Sequence, residues 1–257
     1  MSGSDQIEVR QEQGGVLHLI INRPERKNAL TMAMYSALAA AIDGAGAGVR
    51  VILLSGAGDG FTGGNDLEDF VNNPPAGEDS PVARFMQALY HTEKPVAAAV
   101  HGHAVGIGTT LLLHCDLVYA ADNARFQMPF VKLGLCPEYA SSMILPRIMG
   151  HVKAAELLLL GEPFSAAEAA ACGIVNREVA AAELLDYARQ RCHQLAQLPP
   201  AAVRNTKRLM KEVLGEQGQQ AIRREMAYFS SGLQSDEFAE AAAAFFEKRP
   251  ADFSRFS

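Results

Sequence analysis

Apolar and polar residues alternate at the start of the chain and then give way to solid apolar runs. "IEVRQEQGGVLHLIIN" (7–22) reads as two short strands around Gly14-Gly15, a hairpin whose second half is apolar. "TMAMYSALAAAIDGAGAG" follows as a helix, with Thr31 as N-cap and a glycine-rich tail that stops it. "VRVILLSG" (49–56) has the composition of a buried strand and runs into the loop "GAGDGFTGGNDL". Turn formers crowd residues 72–80, "NNPPAGEDS", a surface loop. A helix near 81–92 leads to a further buried strand, "KPVAAAVHG". The apolar "HAVGIGTTLLLHCD" then suggests a core helix, and "LVYAAD" and "RFQMPF" read as strands. Beyond residue 150 the pattern is helical, near 151–160, 165–172, 181–197, 200–215, 217–231 and 235–247. Strand–loop–helix units followed by a helical tail predict an α/β sheet core with a C-terminal helical portion.

Composition narrows the class. The 257 residues suffice for a sizeable core, and 49% hydrophobic and 20% charged residues are ordinary globular usage. A net charge of −6 argues against a nucleic-acid surface. The densest basic run, "RNTKRLMK" (204–211), reads first as a solvated helix face, with a phosphorylated ligand as the other reading. Cysteines 115, 136, 172 and 192 form no CxxC pair and have no zinc-ligand spacing, so free thiols in a reducing compartment and no metal are expected. The polar start "MSGSDQIEVRQEQ" is unlike a signal segment, no apolar run approaches the roughly 20 residues of a membrane helix, and "SRFS" does not match a Ser-Lys-Leu address. A cytoplasmic protein with no membrane partner is the expectation.

The glycine loops do not bind nucleotides by pattern. "GAGAG", "GAGDG" and "GIG" lack the third glycine of GxGxxG, and neither GxxxxGK[ST] nor GxSxG occurs. His101 and His103 flank a glycine at a strand end, where packing or capping roles outweigh catalysis. Three features remain. "FTGGNDL" (61–67) follows a buried strand, and its glycines let backbone approach a ligand. "GHAVGIGTTLLLHCD" places Gly106 and Gly108 at a helix start, where free N–H groups favour developing negative charge. "LGLCPEYASS" (133–142) sets one carboxylate, Glu138, among Leu133, Leu135, Cys136, Tyr139 and Ala140. Two donor loops and a sheltered base would suit proton abstraction beside a carbonyl. On spacing alone, three turns that merely join elements explain the pattern equally well.

"NRPERKNAL" (22–30), "FTGGNDL", "KPVAAAVHGHAVGIGTTLLLHCD" (94–116), "LPRIMG" (145–150) and "LLLGEPFSAAEAAACGIV" (158–175) resemble, in order, the signatures of the crotonase superfamily, the enoyl-CoA hydratases and isomerases. The resemblance spans about residues 7–250. It implies a crotonase-like ββα spiral core over 1–195 and a C-terminal helical trimerisation region over 196–257, completing trimers or hexamers. It also implies an acyl-CoA thioester substrate, with coenzyme A part of the substrate and no separate cofactor. Where hydratases of the family carry two glutamates, this chain has Thr110 and Phe130. Its lone Glu138, "GGNDL", Ile107 and "PEYASS" are most similar to Δ3-Δ2-enoyl-CoA isomerases of the peroxisomal and yeast-like type. That likeness assigns Glu138 as the base and the N–H groups of Asn65 and Ile107 as an oxyanion hole. It assigns Arg26, Lys27, Ala29, Thr62, Gly63, Gly64, Asp66, Phe130 and Leu135 to substrate and CoA binding, Asp66 chiefly as a brace for its loop. Apolar neighbours should raise the Glu138 pKa. Met128 and Tyr139 are either acyl-pocket or core residues. Another reaction of the superfamily (hydration, thioester hydrolysis or C–C cleavage) and a catalytically silent acyl-CoA binder are the rival readings.

Overall fold

A computed structural model describes residues 6–75 and 77–256. The polar opening residues 1–5, Ala76 of the 72–80 loop and Ser257 of "SRFS" lie outside the described residues.

Strands β1 (Ile7–Glu12) and β2 (Val16–Ile21) form the expected hairpin, with Gly14 and Gly15 at φ 78° and 82°. β3 (Val51–Gly56) and β4 (Val96–Val100) follow, then β5 (His103–Val105), β6 (Leu117–Ala121), β7 (Arg125–Gln127), β8 (Phe164–Ser165) and β9 (Arg177–Val179). A six-stranded sheet runs β1-β2-β3-β4-β6-β9, antiparallel at the hairpin and parallel thereafter; β5-β7-β8 form a second sheet. Parallel strands are covered on both faces, which is why β2, β3 and β4 are mostly apolar along both faces, with His18 and Ser55 the buried polar exceptions.

Side chains alternate between the two faces of the large sheet. Leu19, Ile52, Leu54 and Ala98 pack with α1 (Met32–Asp43) and, beyond the short α2 (Leu67–Asn72), with α3 (Pro81–His91). Val51, Leu53, Ala97 and Ala99 face the other way. The helices between the sheets and the tail are α4 (Ile107–Thr110), α5 (Ser141–Met149), α6 (His151–Ala155, continued as a π turn to Leu160) and α7 (Ala166–Ala171). α8 (Leu184–Ala196) covers the second face through Leu184, Ala188, Cys192 and Ala196. α9 (Pro200–Glu212), α10 (Gly215–Gly232) and α11 (Asp236–Glu247) complete the tail.

Three of the expectations drawn from the sequence are changed by the structure. "HAVGIGTTLLLHCD" is not one helix but β5, the single turn α4 and a 3-10 turn over Leu111–His114. Gly106 at φ 58° breaks the rise, and Thr62 packs so closely on Gly108 that a Cβ there would lie 2.6 Å from Thr62 Cγ2. "RFQMPF" is strand only to Gln127, since Pro129 opens a 3-10 turn. The basic run on α9 is only partly solvated. Lys207 is buried and donates to Asp116 Oδ2 and the Lys94 carbonyl, both at 2.7 Å, and Lys211 reaches the Tyr90 carbonyl at 3.1 Å. These contacts fasten the tail to the sheet.

Candidate active site

The glycine loop after β3 is held by a one-residue parallel bridge to the segment before α1. Leu30 N–H donates to Gly64 O at 2.8 Å and Asp66 N–H donates to Leu30 O at 2.9 Å, bracketing Asn65. In parallel pairing the bracketed residue turns its own N–H and C=O to the opposite side. The Asn65 amide therefore points away from the bridge, and among the described residues it has no acceptor. Thr62 stiffens the loop, donating its hydroxyl to Asn28 O at 2.7 Å and accepting from Gly64 N–H at 3.1 Å. Gly63 N–H donates to Lys27 O at 2.8 Å, and the Tyr35 hydroxyl donates to Asn65 Oδ1.

Asp66 N-caps α2 through Asp69 N–H at 3.0 Å and pairs with Arg23 Nη1 at 2.6 Å. Burial alone would raise its pKa, but the Arg23 contact and the Asp69 amide hold it below the usual carboxylate value. Asp66→Asn keeps the cap acceptor and loses the ion pair. It is expected to cost about 1–3 kcal/mol in denaturant unfolding at pH 7. The difference should shrink as the pH falls through the depressed Asp66 pKa, where the wild type loses the same pair.

The second loop leaves β5 at Gly106, whose own N–H donates to Gln127 O at 2.9 Å. Ile107 is the first residue of α4, so its amide precedes the helical ladder, and it too has no acceptor among the described residues. The two loops touch at Gly64, where a Cβ would come within 2.6 Å of Val105 O. Thr109 ties the turn down by donating to Ala104 O at 2.6 Å.

Glu138 faces the same space. Asn65, Ile107 and Glu138 line one cavity with Phe70, Val82, Met86, Met226, Phe229, Pro75, Ser80 and Ser230, a mostly apolar wall. The Glu138 side chain is 4% exposed; Oε1 accepts from the Thr110 hydroxyl, whereas Oε2 is buried without a hydrogen-bond partner among the described residues. Burial pushes the carboxyl up to about 8, the Thr110 hydrogen bond opposes this, and the nearby charge of Glu225 adds to it. A carboxyl in that range is suited to proton transfer near neutral pH.

The turn that carries Glu138 is unusual. Tyr139 and Ala140 both have positive φ, 62° and 59°. Such strain persists only where the surroundings over-determine it. His114 stacks on Tyr139 with ring centroids 3.7 Å apart and donates from Nε2 to the Tyr139 carbonyl at 2.7 Å. Burial drives His114 down to about 3, so it stays neutral. From α10, Glu225 accepts from Ala140 N–H at 2.5 Å, from Ser142 N–H at 3.0 Å and from the Ser142 hydroxyl.

The other candidates fall in two groups. Arg26, Lys27 and Ala29 belong to the stretch that bonds the first loop. Arg26 and Lys27 are exposed, Arg26 pairing with Glu68 at 2.7 Å. Phe130 and Leu135 lie behind the cavity wall in the core, with Met128 and Tyr139. Phe130 meets Phe229 edge-on at 6.4 Å, and Leu135 packs beside Gly232. His101 and His103 each bond a loop carbonyl, Gly58 O and Lys27 O. Among the described residues no group of three His, Cys, Asp or Glu could hold a metal ion, and no helix is long and apolar enough to cross a membrane. Sequence reasoning missed Glu225, which reads as surface charge in "RREMAY". Its signal was its place on the apolar stripe Ala221, Ile222, Glu225, Phe229.

Comparison with known proteins places these features in a family. The sequence profile described as enoyl-CoA hydratase/isomerase matches residues 11–255. Enoyl-CoA delta isomerase 2 of Rattus norvegicus is 34% identical over 93% of this chain, which spans 63% of that relative's length. Among solved structures, Pseudomonas aeruginosa OdaA is 51% identical, with 94% of this chain and 98% of that one covered and a TM-score of 0.91. An enoyl-CoA hydratase/isomerase of Pseudoalteromonas atlantica is 42% identical, with coverage of 96% and 99% and a TM-score of 0.92.

Proposed function

This chain belongs to the enoyl-CoA hydratase/isomerase family and has its crotonase fold, and on that premise we propose that it moves the double bond of 3-enoyl-CoA thioesters to the trans-2 position with one glutamate as proton carrier. The observation that carries the reading is that, among the described residues, Glu138 is the one carboxylate lining an apolar cavity that it shares with two amides without acceptors. At the two positions where hydratases of the family have acids, this chain has Thr110, whose hydroxyl is engaged by Glu138, and the core residue Phe130.

In this mechanism the thioester oxygen accepts from the Asn65 and Ile107 amides. Ionised Glu138 removes a proton from C2 through Oε2. The C2–H electrons delocalise into a dienolate, whose negative charge the two amides stabilise where water is excluded. Protonated Glu138 then delivers the same proton to C4, the C2–C3 double bond forms, and the carboxylate is regenerated. Exposed Arg26 and Lys27 are the cationic side chains proposed to meet the phosphates of coenzyme A. Coenzyme A enters as part of the substrate, and the cycle needs no other cofactor. Cytoplasmic residence and assembly as a homotrimer, alone or paired into a hexamer, belong to the same proposal. Exposed Leu209, Met210, Tyr228 and Phe245 on the C-terminal helices, with Val213 just after α9, supply apolar surface for such assembly.

The test is incubation with 3-hexenoyl-CoA, following the conjugated 2-enoyl product, beside a 2-enoyl-CoA hydration control. Isomerisation with little hydration is expected, and hydration as the faster reaction would contradict it. The first step needs ionised Glu138, so kcat/KM should rise about tenfold per pH unit up to a limb near the Glu138 value of about 8.

A further inference from the structure

Helix α5 begins without a cap of its own. Its N-cap residue is Ala140, which has no side-chain acceptor and sits at positive φ, and the chain before it is the strained turn that carries Glu138. The acceptor comes instead from Glu225, a carboxylate far along the sequence on α10, which takes three donors at the start of α5. Burial pushes the Glu225 carboxyl above the ordinary carboxylate value, while the three donors oppose this by favouring its ionised form. An anion at that place is also favoured by the helix dipole.

Glu225 is 7% exposed, and the neighbouring residues of its helix are part of the site: Met226 and Phe229 line the cavity that holds Glu138. The Cys136 thiol also points at the Glu225 carbonyl, at 3.6 Å. The segment on both sides of Glu138 is thus stitched to the helix that covers the cavity.

We infer that Glu225 is a positioning residue for Glu138: from α10 it fixes the left-handed turn that aims the base into the cavity, and it joins that aim to the apolar cover supplied by the same helix. A cap that served α5 alone would be met by any acceptor. Glu225 brings a second negative charge beside Glu138 as well, so it also makes Glu138 hold its proton to higher pH. The ionisable groups facing Glu138 are Glu225 from α10, Tyr35 from α1, and Cys136 and Tyr139 from its own segment; Thr110 from α4 supplies the hydrogen bond. Those near Glu225 are Cys136 and, on its own helix, Arg224.

The kinetic part of the inference rests on the isomerase reading; the titration part does not. Glu138 can be titrated by carbon-13 NMR of labelled glutamate carboxyls, with Glu138→Gln identifying its signal, and 3-hexenoyl-CoA turnover measured on the same samples. In Glu225→Gln the Glu138 midpoint should move to lower pH. Its kcat should fall by about 100-fold while KM stays within about threefold, the signature of a misplaced base. Glu225→Asp restores the charge at shorter reach, so the midpoint should return towards wild type with kcat only partly recovered. If Glu225→Gln does not fold, Ser142→Ala removes one donor, keeps both carboxylates and should lower kcat without moving KM. An unchanged midpoint and kcat in folded Glu225→Gln, a rise in KM alone, or wild-type kcat in Ser142→Ala when Glu225→Gln is unfolded would overturn the inference. Absence of turnover in the wild type, with the midpoint still moving in Glu225→Gln, would sink the isomerase reading and leave the role of Glu225 standing.

Discussion

Glu138→Gln is expected to lower kcat on 3-hexenoyl-CoA by about 10²–10⁴-fold, the range for loss of a positioned general base, with coenzyme A affinity nearly unchanged. The amide fills the same volume and still accepts from Thr110, so the cavity keeps its shape. The same substitution should raise stability above neutral pH, for a reason that can be followed through the protons. Burial places the folded-state carboxyl at about 8, above its ordinary range. Between those values the folded chain holds a proton that the unfolded chain has released. Stability therefore falls as pH rises through that window. Glutamine carries no such proton. The Tm advantage of the variant should be absent near pH 4, grow up to about pH 8 and then level off. Wild-type turnover in this variant would refute the assigned base, and a Tm difference independent of pH would refute the burial argument.

Gly64→Ala should be the other large effect, and it acts without touching an ionisable group. Gly64 has φ 88°, where a Cβ is strained, and that Cβ would lie 2.6 Å from Val105 O and 3.3 Å from Val105 C. Both obstacles are backbone, so one of the two donor loops must move. The conformational part alone costs about 1–2 kcal/mol, visible as a lower midpoint in urea. Displacing one oxyanion donor should cost about 10²–10³ in kcat. Glu138 should still titrate well above the ordinary carboxylate range, since its own turn and Glu225 lie outside both donor loops. Wild-type kcat in folded Gly64→Ala would mean that the paired loops do not hold the developing charge.

Much of this arrangement was legible in the sequence, and what was hidden has physical causes. The central strands β2, β3 and β4 of the large sheet are visible because burial on both faces favours apolar residues, and α1 is visible because Thr31 caps it, accepting from Met34 N–H. Glu138 stood out as one charge in an apolar stretch. Helix α5 did not stand out, because its cap is remote and Pro146 interrupts it. Strands β8 and β9 are two and three residues long, too short for alternation to register. Thr110 could be read as a missing acid but not as the donor to Glu138, a contact across 28 residues. Phe130 and Leu135 show the limit in the other direction: apolar residues close in sequence to a base can as well be the core behind its pocket.

The most direct test of a single glutamate carrying one proton between two carbons is isotopic. A 3-enoyl-CoA deuterated at C2 is converted in ordinary water, and the label at C4 of the product is measured by mass spectrometry or NMR. A buried carboxyl that holds the proton away from solvent predicts deuterium transferred from C2 to C4. A product whose new C4 hydrogen comes wholly from water would contradict it.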